Sequence, residues 1–266
     1  MNAASLLALS IALLAQTLNP SPRELVNAAR PLVPAEIAAV LTASRQAIDG
    51  KACRLSYGPG GPGPEVLMRS DGRPRYMRLA SGVNINRFST SASSNNTTRR
   101  QETQTHDDLI NLIDYTGRPA RRCDGSVEPG ELVIEYEHRR STNAWTAKAR
   151  ARTLMEVGAP IFDALAGVTR VESGERKQIG GRWARAFRAP WTLPSGAQPG
   201  GPLPAGATQT LWIDVESLLP LRWGVSLPAA PEHGTPPIPD YGLSFTYDAS
   251  IDVRPPDGVA PPDCIG

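Results

Sequence analysis

Three cysteines and three histidines in 266 residues leave little material for metal or disulfide chemistry, and charge of one sign is equally scarce. The 28 Lys and Arg face 26 Asp and Glu, a net charge of +2, so no polyelectrolyte patch exists to neutralise a row of phosphates and nucleic acid is not an expected partner. Beyond the first charge, Arg23, no stretch of about eighteen apolar residues occurs, so no membrane-spanning helix is expected. What abounds is turn-forming: 26 Pro and 24 Gly make about 19% of the chain, against a usual share of about 12%. With 40% hydrophobic and 20% charged residues the chain is still too apolar for disorder, and its 28.5 kDa suffices for a sizeable core.

The one long apolar run free of charge is residues 3–15, and its heart, residues 6–15, is too short to cross a bilayer. It reads as the core of a signal peptide covering residues 1–16, cleaved near Ala15 or Gln16, although no Lys or Arg precedes it and Leu13 fills the outer cleavage position. A periplasmic or otherwise exported destination is expected. A lipid-anchored protein needs a Cys directly after that run, and the first is Cys53. The odd cysteine count allows at most one internal disulfide. Cys53 alternates with Leu55 and Tyr57 and reads as a buried small hydrophobe. Cys123 (RRCDG) and Cys264 (PPDCI) sit among turn residues, and in an exported chain theirs is the favoured pairing, though connectivity is not fixed by sequence alone. His106, His138 and His233 lack ligand spacing and no C-x-x-C pair exists, so no metal or other cofactor is expected.

Residues 17–33 form a Pro-rich leader, and a single domain is expected over 34–266. Pro34 and Glu36 start a helix that stops at Gly50, with Ile37, Val40, Leu41, Ser44, Ala47 and Ile48 on one stripe. From residue 51 to 140 the period falls to two, with breaks at 58–64, 70–74, the polar run 89–98, and 126–130. Leu132, Ile134 and Tyr136 alternate there with Val133, Glu135 and Glu137. Residues 143–157 are rich in helix formers, and Ile161, Phe162, Leu165 and Ala166 continue a short second helix past Gly158 and Pro160. Strands return at 168–178 and 182–189 around Gly180-Gly181, at 209–214, at 219–227 and at 243–247. Leu221, Trp223, Val225 and Leu227 alternate with Arg222, Gly224 and Ser226, as Leu243, Phe245 and Tyr247 do with Ser244, Thr246 and Asp248. One apolar and one polar face per strand is the pattern of an antiparallel sheet with a covered side. Two long Pro/Gly-rich loops, 190–207 and 228–240, separate these strands.

Catalytic signatures are wanting. The run from Gly58 to Gly63 spells G-x-G-x-x-G, but its prolines forbid the tight phosphate turn and no helix follows. A P-loop, a G-x-S-x-G elbow and an H-E-x-x-H helix are all missing, so the chain is not expected to be an enzyme. Asp107-Asp108 and Asp248/Asp252 read as solvated loop charges rather than carboxylate dyads, and Asn95 and Asn96, in overlapping sequons, mark a polar loop. Of the basic residues 25 are Arg, and the pairs 99–100, 121–122 and 139–140 read as solvated faces, with phosphate or carboxylate gripping as the alternative. Trp183, Phe187, Trp212, Trp223, Phe245 and Tyr247 all fall on the C-terminal strands, either as packed core or as the wall of an apolar cavity.

The wording of three segments resembles the LolA/LolB-type lipoprotein-carrier superfamily, which includes RseB-like sensor domains: residues 210–224 (TLWIDVESLLPLRWG), residues 174–191 (GERKQIGGRWARAFRAPW) and residues 245–256 (FTYDASIDVRPP). The resemblance spans residues 34–256, and the Pro-rich loops and three cysteines depart from it. It implies an α+β fold: a strongly curved antiparallel sheet, an incomplete β-barrel, with helices covering the concave face. It also implies noncovalent binding of lipid or lipoprotein acyl chains against Trp183, Phe187, Trp212, Leu221, Trp223, Val225, Leu243, Phe245 and Tyr247, with no cofactor. The alternatives are a cell-envelope protein-interaction module without a lipid ligand and, third, a hydrolase.

Overall fold

The computed structural model describes residues 20–57, 63–78, 85–93, 96–104, 109–139, 142–152, 165, 171–191, 206–229 and 238–266. The expected signal peptide and the pair Asp107-Asp108 lie outside them, as do His106, His233, the glycine run through residue 62 and most of the second helix.

Proline and a returning carboxylate start both helices. Ser21 Oγ accepts from the Glu24 amide at 3.3 Å while Glu24 Oε2 accepts from the Ser21 amide at 2.6 Å, a capping box that opens α1 (Pro22–Asn27) inside the expected leader. α2 (Pro34–Ile48) begins with Pro34, and Glu36 Oε2 accepts from the Val33 amide at 3.0 Å. Arg30 donates to both Glu36 oxygens at 2.8 and 2.6 Å, and first that pairing, then the Val33 bond, holds the Glu36 carboxyl down at about 2. Ile37, Val40, Ser44 and Ile48 form the buried stripe of α2, in the spacing read from the sequence.

The strands are β1 (Ala52–Tyr57), β2 (Glu65–Met68), β3 (Pro74–Arg78), β4 (Ile85–Ser93), β5 (Asn96–Gln104), β6 (Leu109–Arg121), β7 (Val127–Arg139), β8 (Ala144–Arg152), β9 (Glu172–Ile179), β10 (Arg182–Pro190), β11 (Thr208–Asp214), β12 (Pro220–Leu227) and β13 (Ile238–Tyr247). Eleven of them form one unclosed sheet in the order β8-β7-β6-β3-β2-β1-β13-β12-β11-β10-β9, and neighbours pair antiparallel. β4 and β5 pair with each other in a second, two-stranded sheet. The described chain is therefore sheet-dominated, with two short helices.

Several expectations need correction, among them the break read at 126–130, where β7 already runs from Val127, and the loop read over 228–240, where β13 starts at Ile238. The polar run 89–98 is not a break between strands: Ser89–Ser93 end β4 and Asn96–Thr98 begin β5, in register Ser93↔Asn96. Residues 144–152, expected helical, are β8, paired along its length with β7 from Arg139↔Ala144 to Glu131↔Arg152. Ala, Lys and Arg favour helices locally, but Trp145, Ala147 and Ala149 pack on one face against the Leu132, Ile134 and Tyr136 core. On the other face Glu135 accepts from Arg150 and Arg152 at 2.7 and 2.5 Å.

The chain gathers into two compact units, Met1–Asp49 with Ile161–Gly242, and Gly50–Pro160 with Leu243–Gly266, so β13 runs from one into the other. In the second unit, the C-terminal tail seats Ile251, Val253, Val259 and Ile265 on Leu112, Leu132, Ile134 and Tyr136. A disulfide between Cys123 and Cys264, with Cα atoms 5.0 Å apart and a sequence separation of 141, fastens that tail. The Cys123 amide donates to Ile265 O, and the Ile265 amide to Arg121 O. Cys53 is free and buried, and burial pushes its thiol up to about 12.

Candidate functional site

Residues directly opposite one another in an antiparallel pair share a face, and successive residues alternate. In the first unit the registers Phe187↔Leu211↔Trp223 and Ala189↔Gln209↔Val225 therefore put Phe187, Leu211, Trp223 and Val225 on one face of β10, β11 and β12. Phe187 and Leu211 are 0% exposed and Trp223 is half-buried. Leu221 is the extra residue of a bulge, since Trp212 pairs with Arg222 but Ile213 with Pro220. The strict alternation expected along β12 is lost there, and Leu221 is nevertheless buried.

Trp212 does not join this wall. It pairs with Ala186 and Arg222, so its ring lies on the opposite face, where the Lys177 ammonium sits 4.1 Å from the ring centroid. Trp183 shares the face of Phe187 but is 50% exposed, with the Arg176 guanidinium 5.8 Å from its centroid. In the second unit Leu243, Phe245 and Tyr247 pair with Tyr57, Leu55 and Cys53, and Leu55 and Cys53 share their face. That file continues through Cys53↔Val66 and Val66↔Met77 to Met77↔Ile113.

Two polar residues on the apolar wall went unread in the sequence. Gln209, 0% exposed, donates to Pro190 O at 3.2 Å and accepts from Trp223 Nε1 at 3.4 Å, which orients the indole. Arg185, 3% exposed, stands in phase with Trp183 and Phe187, and that break in an apolar file was the signal available for it. Its guanidinium donates to the carbonyls of Leu25 (3.3 Å), Ala28 (2.5 Å) and Arg30 (2.6 Å) and to Ser173 Oγ (3.3 Å). Among the described residues no carboxylate pairs with it. Desolvation first, then the charges of Arg176 and Arg30, lower its pKa. Ser173 Oγ also accepts from the Leu32 amide at 2.7 Å, and Asn27 Nδ2 donates to Val215 O at 3.1 Å. Leu25, Val26 and Leu32 are buried along this segment. The segment from α1 to the start of α2 is thus tied to β9 and β10 by neutral acceptors around one buried cation.

The remaining candidates are structural. Asp248 Oδ1 accepts from the Ser250 amide and hydroxyl at 2.8 and 2.7 Å in a turn, and Asp252 pairs with Arg254 in the open. His138 packs on Trp145 and contacts Asn143. Among the described residues no three His, Cys, Asp or Glu side chains are placed to hold a metal ion, and no helix is long and apolar enough to cross a membrane. A scan against protein-family models matches none, and a search of curated proteins finds no match to this sequence.

Proposed function

We propose that the protein is an exported, noncovalent carrier or sensor of lipid or lipoprotein acyl chains, which enter between the α1–α2 segment and the wall of Phe187, Leu211, Trp223 and Val225. In this reading the unclosed sheet curves as an incomplete barrel and the helices cover its concave side. The observation that carries the proposal is Arg185. A buried guanidinium with no carboxylate partner among the described residues is an expensive way to fix a permanent core, since an aliphatic side chain of similar volume serves as well or better. Bonded to backbone carbonyls of one short segment, it suits a closure that opens: the freed cation and carbonyls are rehydrated while an acyl chain takes up the apolar face. Each methylene buried contributes about 0.8 kcal/mol, so an acyl chain of roughly fifteen of them, about 12 kcal/mol, offsets the four charge-assisted hydrogen bonds given up, at about 1.5–3 kcal/mol each.

Trp223→Ala tests the site. In a sealed core the truncation costs about 3–5 kcal/mol. On a wall that receives ligand, urea unfolding shows a clearly smaller loss, and binding of a fluorescent fatty acid weakens. A wild type that binds no probe, together with a full core-sized loss in the variant, contradicts carriage. The exposed ring of Trp183 favours the second reading, a protein-interaction module of the cell envelope, in which that ring rather than an acyl wall makes the contact.

A further inference from the structure

The face of the first unit turned away from the apolar wall carries a groove of about 380 Å³ across β9–β12. Glu175 and Lys177 from β9, Arg188 from β10, and Thr208 and Thr210 from β11 line it, with Trp212 at its base. The groove exists because β10 presents only Ala184 and Ala186 beside Lys177 and Trp212, through the pairs Ala184↔Lys177 and Ala186↔Trp212. Lys177 lies back across that gap with its ammonium 4.1 Å from the Trp212 ring centroid. Among the described residues no carboxylate pairs with Lys177. A lysine placed over an indole has already lost most of its side-chain freedom. Arg188 donates from Nη2 to Glu175 at 3.1 Å, an ion pair along the groove.

We propose that this groove binds a phosphate group, with Lys177 and Arg188 as its cations and the Thr208 and Thr210 hydroxyls as neutral donors. Two cations against Glu175 leave one net positive charge, which rejects cationic ligands and gives a neutral one no electrostatic gain. A phosphate, with three terminal oxygens and a charge between about −1 and −2, engages both cations and both hydroxyls, whereas a carboxylate has oxygens for only part of the set. Glu175 opposes the anion and offsets Arg188, so it sets the affinity rather than supplying it. Nothing in the site depends on acyl carriage, because Trp212 and Trp223 lie on opposite faces of the sheet.

The full chain is titrated calorimetrically with inorganic phosphate and sedimented with phosphatidylglycerol vesicles, phosphatidylcholine vesicles serving as the reference. Inorganic phosphate should bind. Lys177→Met, which keeps the stem over the indole and removes the charge, should weaken binding about tenfold or more. Lys177→Arg should stay within a few-fold of wild type, and Glu175→Gln should tighten binding. Binding confined to phosphatidylglycerol vesicles and lost in Lys177→Met also supports the site and identifies the phosphate as a lipid headgroup. Two results overturn it: neither probe binding the wild type, or Lys177→Met binding as wild type does with an unchanged thermal midpoint. Should Lys177→Met fail to fold, Glu175→Gln decides, and no tightening there also overturns it.

Discussion

Asp114 shows how far a single side chain can sit from its preferred state in this chain. It is 7% exposed, on the face of β6 that carries Leu112, beside Tyr136, and the Arg75 guanidinium 3.3 Å away is its ion partner. Burial outweighs that cation, so its pKa is raised above the usual aspartate value. A raised pKa means that folding favours the protonated form: the stability it lends is full below the unfolded value and lost as pH rises through the folded one. At neutral pH the buried carboxylate is a liability. Asp114→Asn should therefore raise the urea midpoint at pH 7, and the gain should vanish near pH 3; a variant less stable than wild type at pH 7 refutes this balance. Glu36 has the opposite sign, its contribution to the start of α2 being present above about 4.5 and lost as pH falls through about 2.

Among the elements, α1 and the turn after it are a part able to move independently, because their ties to the sheet are hydrogen bonds of Arg185, Ser173 and Asn27 and the burial of Leu25, Val26 and Leu32. Arg185→Met keeps the stem and deletes the bonds. Hydrogen exchange at the amides of residues 25–32 should accelerate while those of β10–β12 keep their protection. Equal loss of protection throughout contradicts a local latch. The elements also show where sequence was informative. Helix α2 was legible because Pro34, Glu36 and a single apolar stripe agree, and the β9–β10 hairpin because Gly180 and Gly181 both take positive φ. β8 was not, because Ala, Lys and Arg carry helical preference and only pairing with β7 overrides it. β4 and β5 are polar along the Ser/Thr/Asn run, so no hydrophobic period marked them. Trp212 was misplaced for another reason: which face a strand residue takes relative to its neighbours depends on register, and register is a property of the pair of strands, not of either sequence.

For the molecule as a whole, the bond between Cys123 and Cys264 joins residues at a sequence separation of 141, a loop long enough to remove several kcal/mol of unfolded-chain entropy, about 4–5 at most. Thiol counting under denaturing, non-reducing conditions should find one free thiol, that of Cys53. Cys123→Ser with Cys264→Ser should lower stability by up to that amount, and three thiols in the wild type would refute the bridge. Acyl carriage makes a different demand, that a chain purified from its native host holds its cargo in the first unit. Mild purification followed by organic extraction and mass spectrometry should show acyl species in near-stoichiometric amount, and Arg185→Met should change the amount retained. A clean extract from folded wild-type protein that also takes up no acyl chain on incubation with lipid would contradict carriage.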